Sequence, residues 1–245
     1  MANTIHPGLA LRARQALTDA AFGVLLAIAL VLVVGMATSR FWITDVHFGL
    51  LLGYLAVWVP LLSAVLVACF LHGSRSLSHD LGLRFRPLDL LWGLAIGLLA
   101  RVATSLLEIA RYGRMGSSSA TMGEPVYDGW WLFGALLAPI LLAPLVEEVF
   151  FRGLLLRAVQ GVASFSGGGR TFSVAIAIVV SGAVFSLVHV LQAGSVTSVA
   201  VVGLSTFVFG VSVASVATLT GRLGGAIIAH VTFNALVVIP SLFDV

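Results

Sequence analysis

Along this chain, long apolar runs alternate with short polar ones. Seven stretches are long enough for a helix to cross a hydrocarbon layer about 30 Å thick, which takes roughly 20 residues. They are Ala20–Thr38, Phe48–Leu71, Leu88–Ala110, Trp130–Arg157, Ser173–Gln192, Val196–Thr220 and Leu223–Leu242. The pattern predicts an all-α polytopic membrane protein with about seven transmembrane helices. The sixth stretch is rich in Gly and Ser, so a break in it would make eight. The polar segments between runs are too short for a soluble domain, so residues 1–245 read as one membrane domain. Two connectors, Gly116–Gly123 and Ser164–Arg170, are Gly/Ser-rich and read as flexible.

Composition agrees. Sixty per cent of residues are hydrophobic and 9% are charged, against about 25% charged in an average soluble protein. A soluble enzyme, a disordered tail and a nucleic-acid binder are all poor fits. The 13 basic residues are all arginine, and the net charge is +3. Spread over short loops, that charge orients a membrane protein better than it binds phosphates. With the N-terminus inside, the inner segments hold Arg12, Arg14, Arg75, Arg84, Arg86, Arg157, Arg170 and Arg222, and the outer ones hold Arg40, Arg111 and Arg114. The first apolar run is too long for a signal-peptide core and reads as a retained anchor. A cytoplasmic N-terminus in a bacterial inner membrane is the expectation; the lysine-free, Ala/Val/Arg-rich composition suggests a GC-rich gene. Cys69 stands alone, so neither a disulfide nor a Cys-ligated metal cluster forms within one chain.

Ionisable groups inside a bilayer are expensive, and few are tolerated without a role. Asp89 and Glu108 lie near span ends, where water is in reach. Arg101 lies mid-span and calls for a carboxylate, expected on another helix. His6, His47, His72 and His79 read as solvated, and Trp130 and Trp131 as an interfacial belt. The fourth run is different. Glu147, Glu148 and Arg152 fall within six residues of apolar helix. On a regular α-helix Glu148 and Arg152 lie about 40° apart and make a structural ion pair, while Glu147 points about 100° away from Glu148 and is left for chemistry. Pro139 and Pro144 predict a kink, or a helix restarted near Pro144 whose dipole favours the two acids. Phe185 and His189 share a face of the fifth run. His230 and Asn234 share a face of the seventh. A carboxylate, two imidazoles and a carboxamide from three helices suit amide hydrolysis: a glutamate takes a proton from water, an imidazole helps hold that water, and N–H groups steady the oxyanion.

On these residues the chain resembles the CPBP intramembrane proteases, also called the CAAX-protease or Abi family, which include Rce1-type prenyl-protein endopeptidases. The family's three motifs are matched by Glu147-Glu148-Val149-Phe150-Phe151-Arg152, Phe185-Ser186-Leu187-Val188-His189 and His230-Val231-Thr232-Phe233-Asn234. The similarity covers about 128–240, the expected catalytic core; residues 1–80 carry no family signature. The resemblance implies a glutamic-type intramembrane endopeptidase without a cofactor, its helices set around a hydrophilic cavity. Glu147 would activate water with help from His189, and His230 and Asn234 would form the oxyanion hole. Its partners would be a peptide or lipidated protein substrate and the bilayer, not nucleic acid. Two rivals remain. One is a zinc protease with Glu147, His189 and His230 as ligands; against it, the chain lacks His-Glu-x-x-His. The other is a non-proteolytic transporter or scaffold that uses the same groups as a proton relay or docking site.

Overall fold

The structure, a computed structural model, describes residues 7–115, 128–191 and 196–241. The connector Gly116–Gly123, His6 and the predicted span ends Gln192 and Leu242 lie outside the described residues. Every regular element among those described is helical. They are α1 (Pro7–Ser39), α2 (Val46–Phe70), α3 (Leu77–Asp80), α4 (Pro87–Tyr112), α5 (Gly129–Phe165), α6 (Arg170–Val190), α7 (Val196–Thr220) and α8 (Gly224–Ser241). Six are long and apolar enough to cross a membrane, and Gly224–Pro240 is a shorter apolar helix. The protein is a polytopic all-α membrane protein.

The sixth predicted span is one unbroken helix, so the expectation of an eighth span fails. Its hydroxyls explain why Ser and Thr do not break it. Thr206, Ser212, Ser215 and Thr218 each donate to the carbonyl four residues back, at 2.6–2.8 Å. Polar side chains satisfied within their own helix are tolerated in an apolar setting.

The chain forms two compact units. One comprises residues 1–83 and 149–177; the other comprises 84–148 and 178–245. In the first, α1 and α2 pack so closely that a Cβ at Gly23 would lie 2.7 Å from the Ala64 Cβ. The later part of α5 joins them, where a Cβ at Gly161 would lie 2.9 Å from the Ala13 Cβ. Asp45 caps α2 by accepting from Phe48 N–H at 2.7 Å. His72, expected to be solvated, is part-buried with Nδ1 2.7 Å from Asp19 Oδ2. Asp80 accepts from Ser74 N–H at 2.8 Å and Ser74 Oγ at 2.6 Å. Burial pushes the Asp80 carboxyl up, but these hydrogen bonds and one from His79 outweigh it and hold its pKa below the usual value.

In the second unit α4 is built inside out. Leu91, Leu98, Leu99 and Leu106 are exposed, while Gly93, Gly97, Ala100, Thr104 and Glu108 are buried. That is the pattern of a helix with large apolar groups facing lipid and small ones facing another helix. The neighbour is α8. A Cβ at Gly97 would lie 2.7 Å from the Ala229 carbonyl oxygen and from Thr232 Cβ, and one at Gly93 would lie 2.5 Å from Ile228 Cβ. Ile228 and Thr232 therefore face α4. His230 lies about 200° round from Ile228 and faces away. The α6–α7 contact carries an interhelical bond, Ser186 Oγ to Gly203 O at 2.7 Å.

Two span-end expectations, and the one for Arg101, change here. Asp89 is fully buried rather than solvated. It caps α4 by accepting from Arg86 N–H at 2.7 Å, and it holds Arg222 Nη2 at 2.7 Å and Nε at 3.2 Å. Its partner is 133 residues away, out of reach of any local pattern. Glu108 is buried too. It lies 3.3–3.4 Å from Arg101 Nη1, so the partner of Arg101 is on its own helix, two turns on.

Candidate active site

Helix α5 carries both glutamates and is not regular. Its backbone takes wide turns, with i→i+5 bonding, over Leu132–Leu142 and again over Val149–Leu155, and an α-helical stretch Ala143–Glu148 lies between them. The change of register accommodates Pro139 and Pro144, which have no N–H to give. The predicted restart at Pro144 is therefore absent: Ala143 N–H still donates to Ala138 O. The glutamates sit inside a continuous helix, and the helix-terminus argument for them falls away. Arg152 belongs to the first unit, where it is fully buried with its guanidinium 5.7 Å from the centroid of the Phe151 ring.

Glu147, Glu148, His189 and His230 come together in the second unit. Glu147 Oε2 lies 3.9 Å from His189 Nε2 and 3.8 Å from His230 Nε2. Glu148 Oε1 lies 2.8 Å from His230 Nδ1. The two neighbouring acids thus bracket one imidazole, one at each ring nitrogen. The sequence reading missed this role for Glu148, and the only signal for it was the adjacency of the two acids.

The partners settle the ring protons. His189 Nδ1 lies 2.8 Å from the Phe185 carbonyl oxygen. A carbonyl only accepts, so Nδ1 carries the proton and Nε2 presents a lone pair. A carboxylate likewise only accepts, so His230 Nδ1–H donates to Glu148, and in the neutral ring its Nε2 also presents a lone pair. Two lone pairs and a carboxylate oxygen therefore converge. The rings are held by packing. Phe209 and Phe185 stand edge-on to His230, with centroids 5.0 Å and 5.6 Å away, and Phe185 lies 4.3 Å from His189. Phe209, on α7, belongs to no motif and was not expected.

Access is graded. Side-chain exposure is 30% for His189, 14% for Glu147, 4% for His230 and zero for Glu148. Exposure therefore rises toward the His189 side of Glu147, while the His230–Glu148 bond is sealed. Asn234 lies one turn beyond His230 on α8, and its Nδ2 donates to the Pro139 carbonyl at 2.8 Å.

The donors are of the kind zinc takes, two imidazole nitrogens and a carboxylate. Around tetrahedral zinc neighbouring donor atoms lie about 3.3 Å apart, and here the spacings to Glu147 are 3.8 and 3.9 Å. Among the described residues no group of three or more His, Cys, Asp or Glu side chains is arranged to hold a metal ion. The residues as placed do not fit that ion.

Fold and site together define the class: a helical membrane protein with a carboxylate–imidazole cluster in one helical unit. Residues 129–236 match the family described as type II CAAX prenyl endopeptidase Rce1-like. The match covers 108 of 245 residues and is a likeness of that segment to the Rce1-like family. It contains all three motifs. Comparison with curated proteins and with solved structures finds no match. The matched family is described as one of CAAX prenyl endopeptidases, and this chain shares that likeness over the matched segment.

Proposed function

We propose that the protein hydrolyses a peptide bond of a lipidated or otherwise membrane-held protein, with Glu147 as the base and no metal. The observation that carries this is the position of Glu147 Oε2 between two imidazole Nε2 atoms, 3.8 and 3.9 Å away. Acceptors that far apart suit a water between them. With hydrogen bonds of about 2.8 Å to each, the angle at the water is about 90°, within the range a water accepts. Such a water gives one O–H to Glu147 and the other to His189, and its lone pairs stay free to attack.

In the step that follows, Glu147 takes a proton as the water oxygen bonds to the substrate carbonyl carbon. The carbonyl oxygen becomes the oxyanion. His230, when protonated at Nε2, and the second N–H of Asn234 donate to it. Glu148 stabilises that form of His230 from the other side of the ring. The C–N bond then breaks, and the proton held by Glu147 goes to the leaving amine. Inner arginines outnumber outer ones, which supports a cytoplasmic N-terminus.

The test is cleavage by purified protein in lipid of a farnesylated peptide with three residues after the modified cysteine, followed by mass spectrometry. Release of the tripeptide, undiminished by a chelator and without stoichiometric metal by elemental analysis, is the expected result. Loss of cleavage on chelation with one bound zinc would establish the metal-dependent rival. Absence of cleavage on lipidated and plain membrane peptides alike would favour a transporter or scaffold.

A further inference from the structure

The wide turn at the start of α5 leaves one carbonyl with nothing to accept from. Ala143 N–H reaches back five residues to Ala138 O. The next bond in that register runs from position 144 to the carbonyl of Pro139, and Pro144 has no N–H. A peptide carbonyl left unsatisfied inside a membrane is expensive. Asn234 meets this need, with Nδ2 2.8 Å from Pro139 O. We propose that Asn234 is a positioning residue, which holds the wide turn of α5 by supplying the donor that Pro144 lacks and so sets where Glu147 sits.

Glu147 lies three residues beyond Pro144, so a shift in the turn is carried to its carboxylate within one helical turn. His230 and Asn234 occupy one stripe of α8, four residues apart. One face of one helix therefore fixes both the imidazole opposite Glu147 and the backbone that carries Glu147. A change of register at Pro139–Pro144 would alter the 3.8 Å separation between Glu147 Oε2 and His230 Nε2. The significance of that separation rests on the proposed role of Glu147; the hydrogen bond to Pro139 does not.

A double-variant cycle separates the two. Pro144→Ala restores an N–H at the position facing Pro139 O, so Asn234→Ala should matter much less in that background. Melting is measured in detergent on protein that also carries Glu147→Gln, which makes it independent of activity. Asn234→Ala is expected to lower the midpoint by about 2–4 °C, the effect of one modest interaction in a chain of this size, and by less than half of that once Pro144→Ala is present. Cleavage of the farnesylated peptide should fall about ten-fold or more with Asn234→Ala, and Asn234→Ala plus Pro144→Ala should recover the part of that loss that comes from misplacing Glu147, leaving only the lost oxyanion contact. Equal damage to melting in both backgrounds would overturn the hydrogen-bond assignment. Melting that recovers while cleavage does not would overturn the positioning of Glu147, leaving Asn234 to act on the oxyanion directly. Full cleavage by Glu147→Gln alone would defeat the proposed function, and the melting cycle would still decide the clamp.

Discussion

Asp89 and Glu147 are both carboxylates within apolar helices, and their surroundings differ in kind. Around Asp89 every neighbour gives a proton: the Arg86 N–H at 2.7 Å and two guanidinium nitrogens of Arg222 at 2.7 and 3.2 Å. Charge and hydrogen-bond demand close on themselves, and the group locks the α7–α8 turn to the start of α4. Around Glu147 the two imidazole atoms that face it are lone pairs, 3.8 and 3.9 Å away. The lesson is that a buried acid in a membrane is diagnosed by the polarity of its neighbours, not by its burial. Asp89 is the more buried of the two and is structural.

Substitutions can break this contrast. The largest effect is expected from His189→Ala. It removes one of the two acceptors that orient the water, and cleavage should drop about 10²–10⁴-fold with the melting curve little changed. Asp89→Asn should do the opposite. Neutralising Asp89 removes the charge that holds Arg222 and should be seen as lost thermal stability or expression, while protein that does fold still cleaves. Glu148→Gln tests the sealed side of His230. A partner one step removed from the reacting atoms is expected to lower cleavage about 10–100-fold. Its pH profile should shift as well, which loss of packing alone would not produce.

The smallest effect belongs to the first unit. The Asp80 carboxyl has its pKa held down by hydrogen bonds in the folded protein. A folded-state pKa below the unfolded one adds stability that is present above the unfolded value, about 3.9, and is lost as pH falls through the folded value. The melting temperature of the native protein should therefore fall more steeply below about pH 4 than that of Asp80→Asn.

Much of this was legible in the chain, for identifiable reasons. The spans were legible because apolar length is a local property. The catalytic helices were legible because charge is so scarce in them that Glu147, Glu148, His189 and His230 stand out. The division of labour between the two glutamates was only half legible. A wheel of about 100° per residue separates their directions, but it cannot tell that one imidazole offers a nitrogen to each. The wide turns of α5 were out of reach for a related reason. Two prolines announce an irregular helix, yet a kink, a restart and a change of register share that sequence. Asp89 looked solvated because its partner, Arg222, lies far away in sequence. The Arg101–Glu108 pair, by contrast, is a seven-residue spacing on one face and was open to inspection from the start.

The central claim is that Glu147 takes the proton from the attacking water. It is tested most directly by single-turnover cleavage of the farnesylated peptide by Glu147→Gln protein in lipid, after its melting curve has been shown to match that of the native protein. A glutamine keeps the size and one acceptor but cannot take the proton, so the rate should fall about 10²–10⁴-fold or below detection. Cleavage within a few-fold of the native rate would contradict the account and move the base to another group in the cluster.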